Sequence, residues 1–260
     1  MLTLRKTLLG FTMAAVMLFP SVAVGSPVPY VYQRVGSGDN MSVTTEYETA
    51  YGSRQSRFFG GKGLEQGLRV RFQPWSFVNV EGWAGMLIGA QGLKAKAASV
   101  EVNFRVLNEA SHYLDLNLGA GYVFDYLGDH VPRIRMSVGR SFGDFHTILS
   151  ALAEIPVNEE RDEVDLMLSL AGSYSITPWY RQGLELCVED MEGLWEPEES
   201  EGGAKFLLGP TAYFEIAQHF EVKLNLALVL AYLSNQVPTD GQDPGPQTGF
   251  MGRLVLGYTF

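Results

Sequence analysis

Most of the chain alternates between apolar and polar residues with a period of two, the pattern of β-strands whose two faces meet different surroundings. The alternation is clearest over residues 221–233, and segments 114–124 and 163–176 repeat it. In the first of these segments one face carries Val222, Leu224, Leu226, Leu228, Leu230 and Tyr232. Tilted strands of about 9 to 11 residues are long enough to cross the apolar core of a bilayer. The pattern therefore predicts long strands with one face in apolar surroundings.

Two kinds of connection separate the predicted strands. Tight turns are predicted at Pro74-Trp75, Glu109-Ala110, Gly143-Asp144, Pro178-Trp179 and Gln218-His219, with spacings of 35, 34, 35 and 40 residues that indicate a hairpin repeat. Longer polar loops are predicted within 52–61, 89–96, 127–131, 156–162, 190–203 and 234–248. Short turns at one rim and longer loops at the other are typical of outer-membrane barrels. We predict an all-β fold over residues 41–260, a closed antiparallel up-and-down transmembrane β-barrel of about 12 strands, with 10 or 14 as alternatives.

A soluble β-sandwich or ligand-binding barrel also alternates apolar and polar residues, so the direction of each face has to be decided. Side chains do not easily fill the interior of a barrel of about 12 strands, which favours polar residues inside and apolar residues outside. Aromatic residues gather near the predicted short turns and, more sparsely, near the opposite rim, as in interfacial girdles. Segment 145–155 is apolar on both faces, and its register stays open.

The first 25 residues read as a secretory signal peptide. Arg5 and Lys6 form a basic start, residues 8–18 an apolar core, and Ala23-Val24-Gly25 a small-residue cleavage site. Its removal would change the formal net charge from -10 to -12, because Arg5 and Lys6 are its only charged residues. Residues 26–40 are expected to be a flexible lead-in or a small plug inside the barrel.

Composition excludes several other classes. After the signal, no apolar run approaches the roughly 18 residues of a spanning helix, and a hydrophobic content of 46% is too high for a disordered chain. The single cysteine, Cys187, cannot form an internal disulfide. Net negative charge without a basic cluster disfavours a nucleic-acid partner.

The final segment reads Leu254-x-Leu256-x-Tyr258-x-Phe260. Together with the signal peptide and the alternating strands, it resembles the ending of a bacterial outer-membrane β-barrel protein of the porin or channel type. The resemblance implies that Leu254, Leu256, Tyr258 and Phe260 form the signal read by the barrel-assembly machinery. It also implies a bacterial outer-membrane location with both termini periplasmic. The expected partners are outer-membrane lipids, lipopolysaccharide, that machinery and small polar solutes.

Alternation assigns a set of charged residues to the barrel lumen. The candidate lining residues are Arg69, Arg71, Glu81, Glu101, Arg105, Asp115, Arg133, Arg135, Asp165, Glu185, Glu215 and Lys223. Rings of such charges set ion preference in channels. Bases concentrate on earlier strands and acids on later ones, which predicts a field across a narrow pore. We expect a narrow channel for small polar or ionic solutes; a lumen closed by salt bridges, serving structure or surface interactions, is the alternative.

The sequence contains only weak candidates for a catalytic or metal site. His146 and Ser150 share a face but lie about 13 Å apart along one strand, and Asp129-His130 is a single weak acid–histidine pair. An outer-membrane hydrolase is therefore the least favoured alternative, and we expect no enzyme activity, no cofactor and no metal. The acidic run 189–201 has no calcium-loop spacing and is expected to be a solvated loop.

Overall fold

A computed structural model describes residues 41–53, 63–89, 92–126, 128–155, 157, 164–189, 191–194, 204–231 and 248–260. The predicted signal peptide 1–25 and lead-in 26–40 lie outside the described residues, as does most of the acidic run 189–201. Within the described ranges no helix is long and apolar enough to span a membrane.

In the part of the chain that the structure describes, twelve antiparallel strands form the fold, as predicted, and each pairs with its neighbours in sequence. They are β1 (Ser42–Gly52), β2 (Gly63–Trp75), β3 (Val78–Gly89), β4 (Gly92–Leu107), β5 (Asp115–Phe124), β6 (His130–Phe142), β7 (Phe145–Glu154), β8 (Asp165–Thr177), β9 (Tyr180–Glu189), β10 (Lys205–Ala217), β11 (Phe220–Ala231) and β12 (Thr248–Thr259). A four-residue helix, α1 (Glu109–His112), joins β4 to β5, and a 3-10 helix (Met191–Leu194) follows β9. Pairing of β12 with β1 closes the barrel.

The two ends of the barrel differ in their connections. We call the end formed by Ser76–Phe77, α1, Gly143–Asp144, Pro178–Trp179 and Gln218–His219 the short-turn end, and the opposite one the long-loop end. The turn predicted at Pro74-Trp75 is wrong, because those residues continue β2 and Trp75 pairs with Val78. The loop predicted over 89–96 is also wrong, since β4 begins at Gly92 and pairs with β3 along most of that segment.

The seam between β12 and β1 confirms that the final segment is a barrel strand. Leu256 pairs with Tyr47 and Leu254 with Thr49, and the Phe260 amide donates to the Val43 carbonyl over 2.8 Å. β1 and β12 would otherwise be edge strands with unpaired backbone groups, and pairing with each other removes both free edges of the sheet.

The outer wall is apolar, as the alternation predicts. Along β11, Leu226 is 63% exposed, whereas its neighbours Asn225 and Ala227 are each 5% exposed. An apolar surface of this extent around a barrel requires an apolar cover. Aromatic side chains flank it at the short-turn end, among them Trp75 and Phe77, whose rings stack at 6.0 Å.

The inner wall is less polar than the sequence predicts. Buried apolar side chains face the interior near the long-loop end on seven consecutive strands, β7 to β12 and β1. They are Ala50, Leu152, Met167, Cys187, Leu207, Ala227, Val229 and Met251. Packing against one another inside the barrel gives them apolar surroundings. The alternation of apolar and polar residues does not predict this layer.

Candidate functional site

Contacts between strands that are not neighbours identify the face that lines the lumen. Lys223 on β11 contacts Glu46 on β1 although β12 lies between them, and Arg135 on β6 contacts Glu101 on β4 across β5. Such pairs can meet only inside the barrel. The alternation of buried and exposed residues extends this assignment along each strand.

The larger charge cluster lies on β1, β2, β3 and β11. Glu46 is its centre: its carboxylate lies 2.6 Å from Lys223 Nζ, 3.6 Å from Arg71 Nη2 and 3.8 Å from Arg69 Nε. The Glu81 carboxylate pairs with the same two arginines and lies 3.6 Å from Arg69 Nε and 3.3 Å from Arg71 Nε. Each guanidinium group therefore lies between at least two carboxylates, in a network of ion pairs.

Glu48 and Arg253 extend this cluster to the seam strand β12. Arg253 Nη2 lies 2.7 Å from Glu48 Oε2, and Arg69 Nη2 lies 3.3 Å from the same oxygen. The cluster therefore links β12, β1 and β2 across the closure of the barrel.

A second cluster lies on β4 and β6. Arg135 donates to both carboxylate oxygens of Glu101, at 2.7 and 2.9 Å, and Arg133 Nε lies 2.8 Å from Oε2. Two-point contact of this kind fixes the orientation of both groups. The predicted separation of bases from acids is wrong, because each group of arginines is interleaved with glutamates on the same wall.

The remaining predicted lining residues lie outside these two clusters. Asp115 is buried at the short-turn end and accepts a hydrogen bond from the Glu109 amide over 2.9 Å. Glu185 accepts from Asn225 across β10 over 3.2 Å. Asp165 is buried at the long-loop end of β8, Arg105 is half-buried on β4, and Glu215 lies at the short-turn end of β10.

Three arginines of these clusters have more access to water than two of the carboxylates that they contact. The side chains of Arg71, Arg133 and Arg69 are 18%, 14% and 13% exposed, whereas those of Glu46 and Glu101 are each 2% exposed. These three arginines therefore keep more contact with water than Glu46 and Glu101 do, and Glu221 is exposed to a similar extent, at 15%.

A hydrogen-bonded chain at the short-turn end joins α1, β6, β7 and β8, and it was not predicted from the sequence. Ser141 donates to Glu109 through its amide (2.7 Å) and its hydroxyl (3.1 Å). His146 Nδ1 lies 2.8 Å from Ser141 Oγ, and its Nε2 lies 3.4 Å from Ser175 Oγ. The carboxylate thus orients the serine instead of the imidazole, unlike the acid–histidine contact of a catalytic triad.

The other histidine considered above lies on the outer surface. His130 Nδ1 lies 2.8 Å from the Tyr122 hydroxyl, and its ring centroid lies 5.4 Å from that of Phe124. Across the described ranges no three histidine, cysteine or acidic side chains gather as they would around a metal ion.

No protein-family model matches the chain, and no curated protein matches it. Similar solved structures are bacterial porins and channels. The KdgM porin in complex with disordered oligogalacturonate has a TM-score of 0.59 and 9% identity, over 84% of this chain and 99% of that one. The NanC porin has a TM-score of 0.58 and 11% identity, over 82% and 98%. The COG4313 outer membrane channel from Pseudomonas putida F1 has a TM-score of 0.54 and 15% identity, over 90% and 99%. These likenesses establish a shared barrel fold.

Proposed function

We propose that the protein is a narrow bacterial outer-membrane channel for small polar or ionic solutes. The observation that carries the proposal is the partial water access of Arg69, Arg71 and Arg133 inside a barrel whose other inner side chains are mostly buried. The similar solved structures support the proposed channel, because the chain spans nearly the full length of structures described as porins and as an outer membrane channel.

The arginines give the proposed channel a preference for anions, despite the net charge of -10. Selectivity follows the charges that border the narrow passage more than the charge of the whole chain. Because the guanidinium groups pair with Glu46, Glu81 and Glu101, neutralising them would leave the negative charge of these carboxylates uncompensated.

Single-channel recording tests both statements. We expect the refolded protein to give discrete conductance steps in planar bilayers, with a reversal potential in a KCl gradient that indicates an excess of chloride current. Changing Arg69, Arg71, Arg105, Arg133 and Arg135 to glutamine should shift that potential toward cations.

Arg140→Gln is the matched control, because this arginine packs on Tyr113 and Phe142 rather than on the inner carboxylates. It should leave the reversal potential unchanged. Absence of conductance across several salts would refute the channel and favour a closed, structural barrel. Conductance with a reversal potential that the five substitutions leave unchanged would refute the role of the arginines in ion selectivity.

The terminal strand carries a second part of the proposal, recognition by the barrel-assembly machinery. Leu254, Leu256, Tyr258 and Phe260 share the outer side of the seam strand, and Phe260 is 71% exposed. We expect Phe260→Ala to slow folding into vesicles that contain the purified machinery and to leave folding into plain vesicles nearly unchanged. Phe250→Ala, on the same strand and face at its far end, is the control. Equal slowing by both variants would refute recognition of the terminal strand by the machinery. The proposal also includes an outer-membrane location with both termini in the periplasm.

A further inference from the structure

Glu65 is a charged side chain between apolar neighbours on the inner wall. Its register partners are Ala50 on β1 and Leu87 on β3, and both are buried. Glu65 itself is 2% exposed, and its Oε2 has no hydrogen-bond partner among the described residues. A buried carboxylate without a partner is costly, so its presence calls for a group that satisfies it.

The arginines near Glu65 are engaged by other carboxylates. Arg69 lies between Glu46, Glu48 and Glu81, and Arg253 pairs with Glu48 at 2.7 Å. Because both arginines pair with other carboxylates, an additional positive charge would be attracted to Glu65.

Trp83 occupies the wall next to this carboxylate because two glycines leave room for it. A Cβ atom on Gly67 would lie 2.6 Å from the indole Nε1, and one on Gly85 would overlap the six-membered ring. Gly67 and Gly85 face each other in the β2–β3 register, two residues from Glu65 and Leu87 respectively. The indole thus lies over both glycines and, being half-buried, borders the interior.

Tyr126 completes the surroundings of the carboxylate. Its ring meets Trp83 edge to face, with centroids 6.3 Å apart and planes at 86°. Its hydroxyl interacts with the Glu65 carboxyl group, whereas the Trp83 Nε1 has no hydrogen-bond partner among the described residues. One carboxyl oxygen of Glu65 and the indole N–H of Trp83 are therefore left without a hydrogen-bond partner in the described part of the chain, beside two aromatic rings.

We propose that Glu65, Trp83 and Tyr126 form a binding site for a small primary ammonium compound that carries a second polar group. The ammonium N–H groups would donate to Glu65 and Tyr126, its charge would be attracted to the indole ring, and the second polar group would accept from Trp83 Nε1. A simple inorganic cation would leave that N–H unsatisfied. The site does not depend on conduction through the lumen.

Titration with ethanolammonium chloride in detergent micelles tests the site through the indole N–H signals of the 15N-labelled protein. The chain has four tryptophans, and Trp83→Phe assigns the signal of interest by its disappearance. We expect the Trp83 signal to shift with saturation while the other three stay in place. Potassium chloride and 1-propanol, a neutral compound of similar size, should not reproduce the saturable shift.

Glu65→Gln keeps the shape of the side chain and removes its charge, so it should weaken ethanolammonium binding about tenfold or more. Asp144→Asn, in a short turn at the other end of the barrel, should bind as the parent does. Gly85→Ala is a second variant, which retains Glu65 but displaces the indole, and it should also weaken binding.

An unmoved Trp83 signal, an equal response to 1-propanol, or unchanged affinity in Glu65→Gln would overturn the site. If Glu65→Gln fails to fold, Gly85→Ala decides the question in the same titration. Binding by a protein that gives no conductance would refute the proposed channel alone, whereas conductance without binding would refute this site alone.

Discussion

Lys223 Nζ lies 2.6 Å from Glu46 Oε1 and joins β11 to β1 across the strand between them. The same ammonium group lies 2.6 Å from Glu221 Oε1. Both Lys223 and Glu46 are buried, so each replaces water around the other. This contact bridges the two strands on either side of β12, so it stabilises the closure of the barrel from its interior.

Lys223→Met should destabilise the folded barrel by about 3 kcal/mol, because breaking a buried ion pair leaves Glu46 and Glu221 without their common cation. The double variant Glu46→Gln/Lys223→Met should lose less than the sum of the two single variants. Urea unfolding in lipid vesicles measures both. Strict additivity would show that the two groups do not interact in the folded protein.

Gly209→Ala should prevent stable folding, with a cost above about 3 kcal/mol. A Cβ atom at Gly209 would overlap the Leu226 carbonyl and lie 2.6 Å from the Ala227 Cα, and both are backbone atoms that cannot move aside. Gly82→Ala is the control, because nothing lies within 4 Å of its Cβ position. The shift in gel mobility between heated and unheated samples reports folding, and normal folding of Gly209→Ala would contradict the close approach of β10 and β11.

Cys187 should resist a charged water-soluble thiol reagent in the folded barrel and react fully after unfolding. Its side chain is 0% exposed and packs in the apolar layer of the inner wall. Mass spectrometry of the labelled protein gives the modified fraction, and the single cysteine makes the assignment unambiguous. Rapid labelling of the folded protein would mean that water reaches this layer.

Arg140 should lower the pKa of the Tyr113 hydroxyl below its ordinary value, because it hydrogen-bonds to the phenolate form and attracts its charge. The Arg140 guanidinium carbon lies 3.4 Å from the Tyr113 ring centroid. Arg140→Gln should therefore raise this pKa. Phenolate absorbance, taken as the difference between each protein and its Tyr113→Phe counterpart, measures the change, and an unchanged pKa would exclude the contact.

The register of β7 follows from its pairing with β6 and cannot be predicted from the segment itself. Segment 145–155 is apolar on both faces, so alternation cannot choose between them. Pairing with β6 decides it: Ser150 is opposite Ser137 and their hydroxyls lie 2.9 Å apart, which turns Ile148 and Leu152 inward. A partner on another strand supplied the information that the segment itself lacks.

Local alternation determined the strand count, the apolar outer wall, the order of hairpins and the closing role of the segment that contains Leu256, because a period of two depends only on neighbouring residues. It also placed Arg69, Arg71, Glu81, Glu101 and Lys223 on one face. Only the tertiary structure decided which of these charges pair, that Glu46 is the centre of one cluster, and that Glu65 is left beside Trp83 and Tyr126. Those relationships depend on the stagger and closure of the strands, which bring residues far apart in sequence to the same level of the barrel.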